Sequence, residues 1–166
     1  MYHQQLSYCV TQFVEKDPKL AEIVLPAIQR FWPRTFSAKE VLFLNEVEEI
    51  LEMVPTENFG PLVDDYDARK LFVQIARCVG SPHFQVAERA LFLWNNEHIV
   101  GQIQIHRKVV LPLVFEALAR NMDAKSRHWN TTVHGLNGNV VKLFMEMDSD
   151  LFDKCSEGAC TPDWPR

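Results

Sequence analysis

Amphipathic helical stretches recur along this chain at a nearly fixed interval, and that repeat constrains the fold more than any other feature. Ser37-Ala38-Lys39-Glu40, Ser81-Pro82-His83-Phe84 and Ser126-Arg127-His128-Trp129 each open a helical stretch, and the serines stand 44 and 45 residues apart. Serine is a favoured N-cap because its hydroxyl accepts from an orphan backbone N–H, and Pro82 would take the first helical position. The apolar stripes that follow are Val41/Leu44/Val47/Leu51/Val54, Phe84/Ala87/Leu91/Trp94 and Trp129/Val133/Leu136/Val140/Phe144. An earlier stripe, Leu6/Val10/Phe13, has the same spacing. Further apolar helices are predicted over roughly 18–32, 68–79 and 107–121. A period of about 40–47 residues is that of HEAT or armadillo arrays. The fold class is therefore all-α, a HEAT/armadillo-like helical-repeat solenoid. It divides into an N-terminal half repeat (1–17) and three helix pairs (18–54, 68–97, 107–147) within an array over 1–155, followed by a disordered tail at 156–166.

The first helices echo one another too. Ile23-Val24-Leu25-Pro26 and Val109-Val110-Leu111-Pro112 lie 86 residues, or two periods, apart. A proline inside a helix removes a backbone bond, so its recurrence predicts a built-in kink; the alternative is a chance echo. The Leu6 stripe falls where a second helix of an earlier pair belongs. A solenoid repeat buries its apolar face only against its neighbours, so the chain is expected to be a piece of a longer array.

Composition narrows the function. There are 22 acidic and 17 basic side chains, a net charge of −5, and no long Lys/Arg run, which argues against a nucleic-acid binder. No stretch of about 18 apolar residues offers a membrane span. Met1-Tyr2-His3-Gln4-Gln5 lacks the basic and apolar regions of a secretory signal. Cys9 and Cys78 sit in apolar helical patterns, whereas Cys155 and Cys160 could pair but have no other sign of an oxidising compartment and no second pair for zinc. The sequon Asn130-Thr131-Thr132 reads as chance in that setting. The expected location is cytoplasmic or nuclear.

The run from Ser81 to Glu97, Ser-Pro-His-Phe-Gln-Val-Ala-Glu-Arg-Ala-Leu-Phe-Leu-Trp-Asn-Asn-Glu, resembles the regulatory B′ subunit family of serine/threonine protein phosphatase type 2A. So do Tyr2 to Cys9, Glu15-Lys16-Asp17, Lys39 to Glu46, His128-Trp129-Asn130, Val133 to Leu136 and Lys142 to Met147, which together cover roughly 2–155. The resemblance implies a curved array of HEAT-like repeats that is not an enzyme. Such a protein docks on the phosphatase scaffold and catalytic subunits and directs phosphoprotein substrate choice and location. It implies no cofactor and no metal in this chain. The matching stretch corresponds to the later half of the family's array. The earlier repeats carry the groove for Leu-x-x-Ile-x-Glu substrate motifs in this family, so loss of that binding is expected here. Two further departures are the segment Asn58 to Asp67, unlike the family's usual helix start, and the end from Ser156, which replaces a basic continuation.

Ten residues are candidates for partner contact. Gln85, Arg89, Phe92 and Asn96 share a face at i, i+4, i+7 and i+11, flanked by Glu88, and a polar face carrying an aromatic and an arginine suits an interface. The competing reading is a solvated face with Phe92 packed on the next repeat. Asn95, Asn96 and Glu97 end the helix, as a structural C-cap or as a contact. His128, Asn130 and His134 border the third repeat; the two histidines lack the i, i+4 spacing of a metal pair, and Trp129 reads as core. Gly135 and Gly138 each cost about 1 kcal/mol in a helix relative to Ala, which points to close packing or to a partner at that turn. Glu46, Glu48, Glu49 and Glu52 read as a solvated acidic face, or one that steers a basic partner.

For chemistry the sequence offers nothing. The glycines form no phosphate-cradling loop, no arginine stands six residues after Cys78, and neither a His-Glu-x-x-His nor a Gly-x-Ser-x-Gly occurs. Three alternatives stay open. An armadillo-like peptide adaptor would carry repeated Asn or Trp on successive second helices, with Trp94 and Trp129 as candidates. A small helical enzyme would need a pocket of convergent titratable groups. A truncated form would be unable to assemble the holoenzyme.

Overall fold

The computed structural model of the chain describes residues 2–126 and 128–160, with the backbone alone at 66–68. Among the described residues ten α-helices follow one another: α1 Tyr2–Lys16, α2 Ala21–Arg30, α3 Ser37–Met53, α4 Thr56–Asp64, α5 Tyr66–Val79, α6 Phe84–Phe92, α7 Glu97–Ile105, α8 Arg107–Met122, α9 Thr131–Met147 and α10 Ser149–Ser156. There is no strand among the described residues. The all-α helical-repeat class read from periodicity is the class of the structure.

The repeat is more regular in the structure than in the serines. Helices α3, α6 and α9 begin at 37, 84 and 131, which is 47 residues each time. The serines are not the caps. Ser37 is already helical, Ser81 accepts from the His83 N–H (3.2 Å) in the turn before α6, and Ser126 donates to the Arg120 carbonyl (2.7 Å) after α8. Pro82 therefore lies ahead of α6, not at its first position. Carboxamides and carboxylates, which reach further than a hydroxyl, do the capping: Asn96 for α7, Asn130 for α9 and Asp148 for α10. Pro26 and Pro112 are each the sixth residue of their helices, α2 and α8, and both helices run on through them. Pro61 is likewise sixth in α4, so most of the divergent segment from Asn58 is helical.

The chain forms two compact units, 1–71 and 72–166, with the boundary inside α5. In the first unit α3 packs on α1 and on α2. Leu25 and Ile28 of α2 and Leu44, Val47, Ile50 and Leu51 of α3 are buried, with Val54, Phe59, Leu62 and Val63 beyond them. In the second unit α9 packs on α6 and on α8, and α10 closes against α8 and α9. Its core is Val86, Ala87, Ala90 and Leu91 of α6, Val110, Leu111, Val114 and Leu118 of α8, and Val133, Val140 and Phe144 of α9. Each unit thus repeats one relation: a second helix lies on its own first helix and on the preceding second helix.

Three core expectations change. In α1 the buried residues are Thr11 and Val14, while Leu6 and Phe13 are 52% and 65% exposed. The face toward α3 is the row His3, Ser7, Thr11 and Val14 at helical spacing, and the Leu6 stripe lies off it. Trp129 is 71% exposed, because α9 begins two residues later and the indole falls outside the helical register of Val133 and Val140. A Cβ at Gly135 or Gly138 would meet nothing within 4 Å, so close packing is not why glycine stands there. At the far end, α10 runs through Ser156, and Gly158 at φ 76° turns the chain so that the Ala159 N–H reaches the Lys154 carbonyl (2.9 Å). Residues 157–159 thus bond back to α10, and the last part of the segment expected to be a disordered tail, 161–166, lies outside the described residues.

Candidate protein-interaction surface

Helix α6 is amphipathic, and its apolar face settles which side chains turn outward. With Val86, Ala87, Ala90 and Leu91 buried, Gln85 is exposed, Glu88 and Arg89 are half-buried and Phe92 is 41% exposed. Phe92 is therefore not covered by the next repeat. The face stops there. Leu93–Asn95 form a 3-10 turn, with Leu93 and Trp94 buried, and this turn breaks the register that would carry the face on to Asn96.

Asn96 caps in both directions: its N–H bonds to the Leu93 carbonyl (3.4 Å) at the end of the 3-10 turn, and its side chain caps the following helix. Its Oδ1 accepts from the His98 and Ile99 N–H groups (3.1 and 3.3 Å), and its backbone is extended, φ −77°, ψ 110°. Asn95 and Glu97 are exposed beside it, with Glu97 in the first turn of α7, where a carboxylate complements the helix dipole.

At the opposite end of α6 a second group gathers around the start of α9. Phe84 meets Trp129 edge-on (5.8 Å between centroids), and the Trp129 indole N–H donates to the Pro82 carbonyl (3.1 Å). His128 is buried beneath, its ring 5.4 Å from that of Trp129, and its Nδ1 accepts from the Asn130 N–H (3.0 Å). That bond leaves the neutral imidazole's proton on Nε2. Asn130 accepts from the Thr132 and Val133 N–H groups (2.9 and 3.3 Å), so its carboxamide is held by α9. His134 lines a hollow of about 340 Å³ with Ala124, His128, Trp129 and Thr131.

The ten candidates thus fall into two clusters. Gln85, Glu88 and Arg89 lie on α6 near the His128–Asn130–His134 turn, joined to it through Phe84 and Trp129. Asn95, Asn96 and Glu97 stand at the other end of a nine-residue helix, roughly 13 Å away at 1.5 Å per residue. Phe92 closes α6 on their side. Two of the ten, Asn96 and Asn130, have structural work as caps.

Residues not singled out from the sequence do as much to shape this surface. Asn137 is fully buried in α9; its Nδ2 donates to the Leu118 carbonyl (3.0 Å), and its Oδ1 accepts from Asn121 Nδ2 (3.5 Å). Asn121 also donates to the Val79 carbonyl (3.1 Å). A signal for this exists in the residues: Val133, Asn137, Val140 and Phe144 hold one helical row. Arg107 Nε donates to Asp148 (2.7 Å), and the guanidinium, helped by the Leu151 N–H, holds that carboxyl below its usual range.

The acidic row of α3 is not uniformly solvated. Glu46 is buried, and burial pushes its carboxyl above the usual range. His3 Nε2, 3.5 Å away, and the Ser7 hydroxyl oppose the shift, while Glu49 adds to it. Cys155, buried and beside Cys160, has its thiol pushed up to about 12. Among the described residues no group of three His, Cys, Asp or Glu could hold a metal ion, and no helix is long and apolar enough to cross a membrane. Trp94 is buried against Phe144 (5.1 Å), so the two tryptophans do not form the repeated exposed row of an armadillo-type groove.

A family model described as "Protein phosphatase 2A regulatory B subunit (B56 family)" matches residues 1–161. The epsilon isoform of the 57 kDa regulatory B′ protein of serine/threonine protein phosphatase 2A from Arabidopsis thaliana is 55% identical over 157 residues, which is 95% of this chain and 30% of that protein. The human 56 kDa regulatory subunit delta isoform is 52% identical over 157 residues, covering 95% of this chain and 25% of its own length. The regulatory subunit pptr-1 of Caenorhabditis elegans is 51% identical over 154 residues, 93% of this chain and 27% of that one. The chain spans between a quarter and a third of the length of these relatives. With nearly every residue of the repeats inside the match, the chain belongs to the B56 family of protein phosphatase 2A regulatory B subunits.

Proposed function

We propose that this chain is a non-catalytic regulatory module of protein phosphatase 2A, contacting the scaffold and catalytic subunits and directing the phosphatase toward phosphoprotein substrates. The observation that supports this reading most is the family match over 1–161. Features of the α6–α9 surface support the reading. Phe92 at the end of α6 and Trp129 just ahead of α9 present aromatic area outward, and aromatic side chains with a neighbouring arginine are the usual anchors of protein interfaces. The chemistry of the reaction belongs to the catalytic partner; this chain contributes binding surface and position.

The test mixes the purified chain with the purified scaffold–catalytic heterodimer and follows co-elution by size exclusion. Co-elution is expected, together with at least tenfold weaker binding for Phe92→Asp, whose exposed side chain can change without unfolding α6. Chain and heterodimer eluting apart at tens of micromolar, with the chain folded by circular dichroism, would overturn the reading.

A further inference from the structure

The turn joining α2 to α3 carries a surface that the family assignment does not account for. The chain is acidic overall, yet between Glu22 and Glu40 it holds three cations, Arg30, Arg34 and Lys39, and no acid. Glu40 forms an ion pair with none of them among the described residues; its carboxylate accepts from the buried Trp32 indole N–H (3.0 Å). Among the described residues none of the three cations is in an ion pair. Two large apolar rings stand among them: Phe31 is 71% exposed and Phe36 is 53% exposed. Two of the cations lie over these rings, Arg30 Cζ 5.8 Å from the Phe31 centroid and Lys39 Nζ 5.7 Å from that of Phe36.

The backbone beneath is fixed. Trp32 is anchored inside, edge-on to Phe43 (5.6 Å), and the Arg34 and Phe36 N–H groups bond to the Trp32 and Pro33 carbonyls (2.9 and 3.1 Å). Beside Phe31 lies a hollow of about 430 Å³ with Pro26, Ala27 and Lys70 in its wall. That volume admits one aliphatic or aromatic side chain.

We propose that this patch docks an Asp/Glu-rich peptide segment of a partner protein, with one apolar side chain seated beside Phe31 and the flanking carboxylates on Arg30, Arg34 and Lys39. Charge complementarity selects the occupant. An isolated cationic patch on a chain of net charge −5 attracts a short acidic segment, while the same net charge repels a long polyanion such as a nucleic acid or an anionic lipid surface. The hollow adds what a phosphate surface could not use, a seat for an apolar side chain. The proposal does not rest on the phosphatase reading, and its test needs no phosphatase subunit.

The experiment uses the full chain and a fluorescein-labelled octapeptide, Glu-Asp-Glu-Phe-Glu-Asp-Glu-Glu, read by fluorescence anisotropy. The expected result is saturable binding that weakens at least tenfold in Arg30→Glu/Arg34→Glu and at least threefold in Phe31→Ala. Binding should also weaken when salt is raised from 50 to 300 mM and be absent for the Gln/Asn version of the peptide. All these side chains are exposed, so the variants should melt with the wild type, which circular dichroism checks. A charge reversal at Glu48 and Glu49 should tighten binding only slightly. Binding that is unchanged in both patch variants, no binding at millimolar peptide, or binding to phosphatidylserine vesicles but not to the peptide would each overturn the proposal.

Discussion

Helix α1 on α3 and helix α6 on α9 stand in the same relation, second helix against second helix, yet they are joined by different chemistry. The α6–α9 seam is apolar and aromatic. Four residues of α6 are buried, and a ring pair closes each end, Phe84 with Trp129 and Trp94 with Phe144. The α1–α3 seam is polar. Helix α1 buries only Thr11 and Val14, His3 stacks flat on Phe43 (5.4 Å, 3°), and its imidazole and the Ser7 hydroxyl reach the buried Glu46. The same helix turns Tyr2, Leu6, Tyr8 and Phe13 outward. One seam draws on area removed from water, the other on hydrogen bonds and charge in a fixed orientation, so the first should dominate stability and the second should respond to pH.

The largest expected effect is at the aromatic seam. Phe144→Ala opens a cavity under Trp94 in a side chain with no exposure, and should cost about 3–5 kcal/mol. Urea unfolding measures it; a loss below about 1 kcal/mol would mean that the seam collapses onto the void or was not formed. Next comes the amide pair two turns back along the same buried row of α9. Asn137→Ala leaves the Leu118 carbonyl without its donor and removes an acceptor from Asn121, at about 1–3 kcal/mol. Because neither amide titrates, that loss should be the same at pH 5 and pH 8, and a pH-dependent loss would show that the pair is coupled to an ionisable group.

How much of this is legible in the residues depends on what each signal reports. Periodicity reports which side of a helix is apolar, and it yields the class, the stripes of α3 and α6, and the buried Val133, Val140 and Phe144. It does not report what lies opposite. The Leu6 stripe is amphipathic and faces outward, because α3 meets the polar row His3, Ser7, Thr11 and Val14 instead. Trp129 is in step with Val133 by count, but a helix capped at Asn130 cannot include it. Cap identity is ambiguous for a similar reason: serine and asparagine both suit the position, and only the path of the chain decides. On the interaction surface the outward residues of α6, Gln85 and Phe92, follow from its amphipathic pattern, whereas Asn96 and Asn130 are fixed by bonds that spacing alone does not reveal. Asn137 shares the row of Val133, Val140 and Phe144, but spacing does not supply the partner that a buried amide needs, since Asn121 is 16 residues away.

The titratable seam is tested by Glu46→Gln. Burial raises the carboxyl in the folded chain, so between the ordinary value of 4.5 and the raised one the folded state keeps a proton that the unfolded chain has released. Stability contributed by this group is complete below 4.5 and falls as pH rises through that window. The glutamine variant lacks this dependence, so its stability relative to wild type should climb with pH. Removing His3, which opposes the shift, should steepen the climb when the pair is compared in a His3→Gln background. A flat difference, or one that declines with pH, would show that the carboxyl is held ionised by its partners and that charge attraction outweighs burial.

The smallest expected effect sits on the outer face of α1. Phe13 is two-thirds exposed, so Phe13→Ser removes little area from the folded interior and should change unfolding free energy by about 0.5 kcal/mol or less. That near-silence is informative because Val14, its neighbour in sequence, is fully buried against α3, and Val14→Ala should cost measurably more. If Phe13→Ser instead destabilised by about 2 kcal/mol, well outside the range of an exposed substitution, the outward face would have to be covered in solution. Repeating the melt over a hundredfold range of protein concentration then decides how. A midpoint that rises with concentration assigns the cover to another copy of the chain, and a constant midpoint assigns it to α1 packing differently on α3, which would reverse the contrast between the two seams.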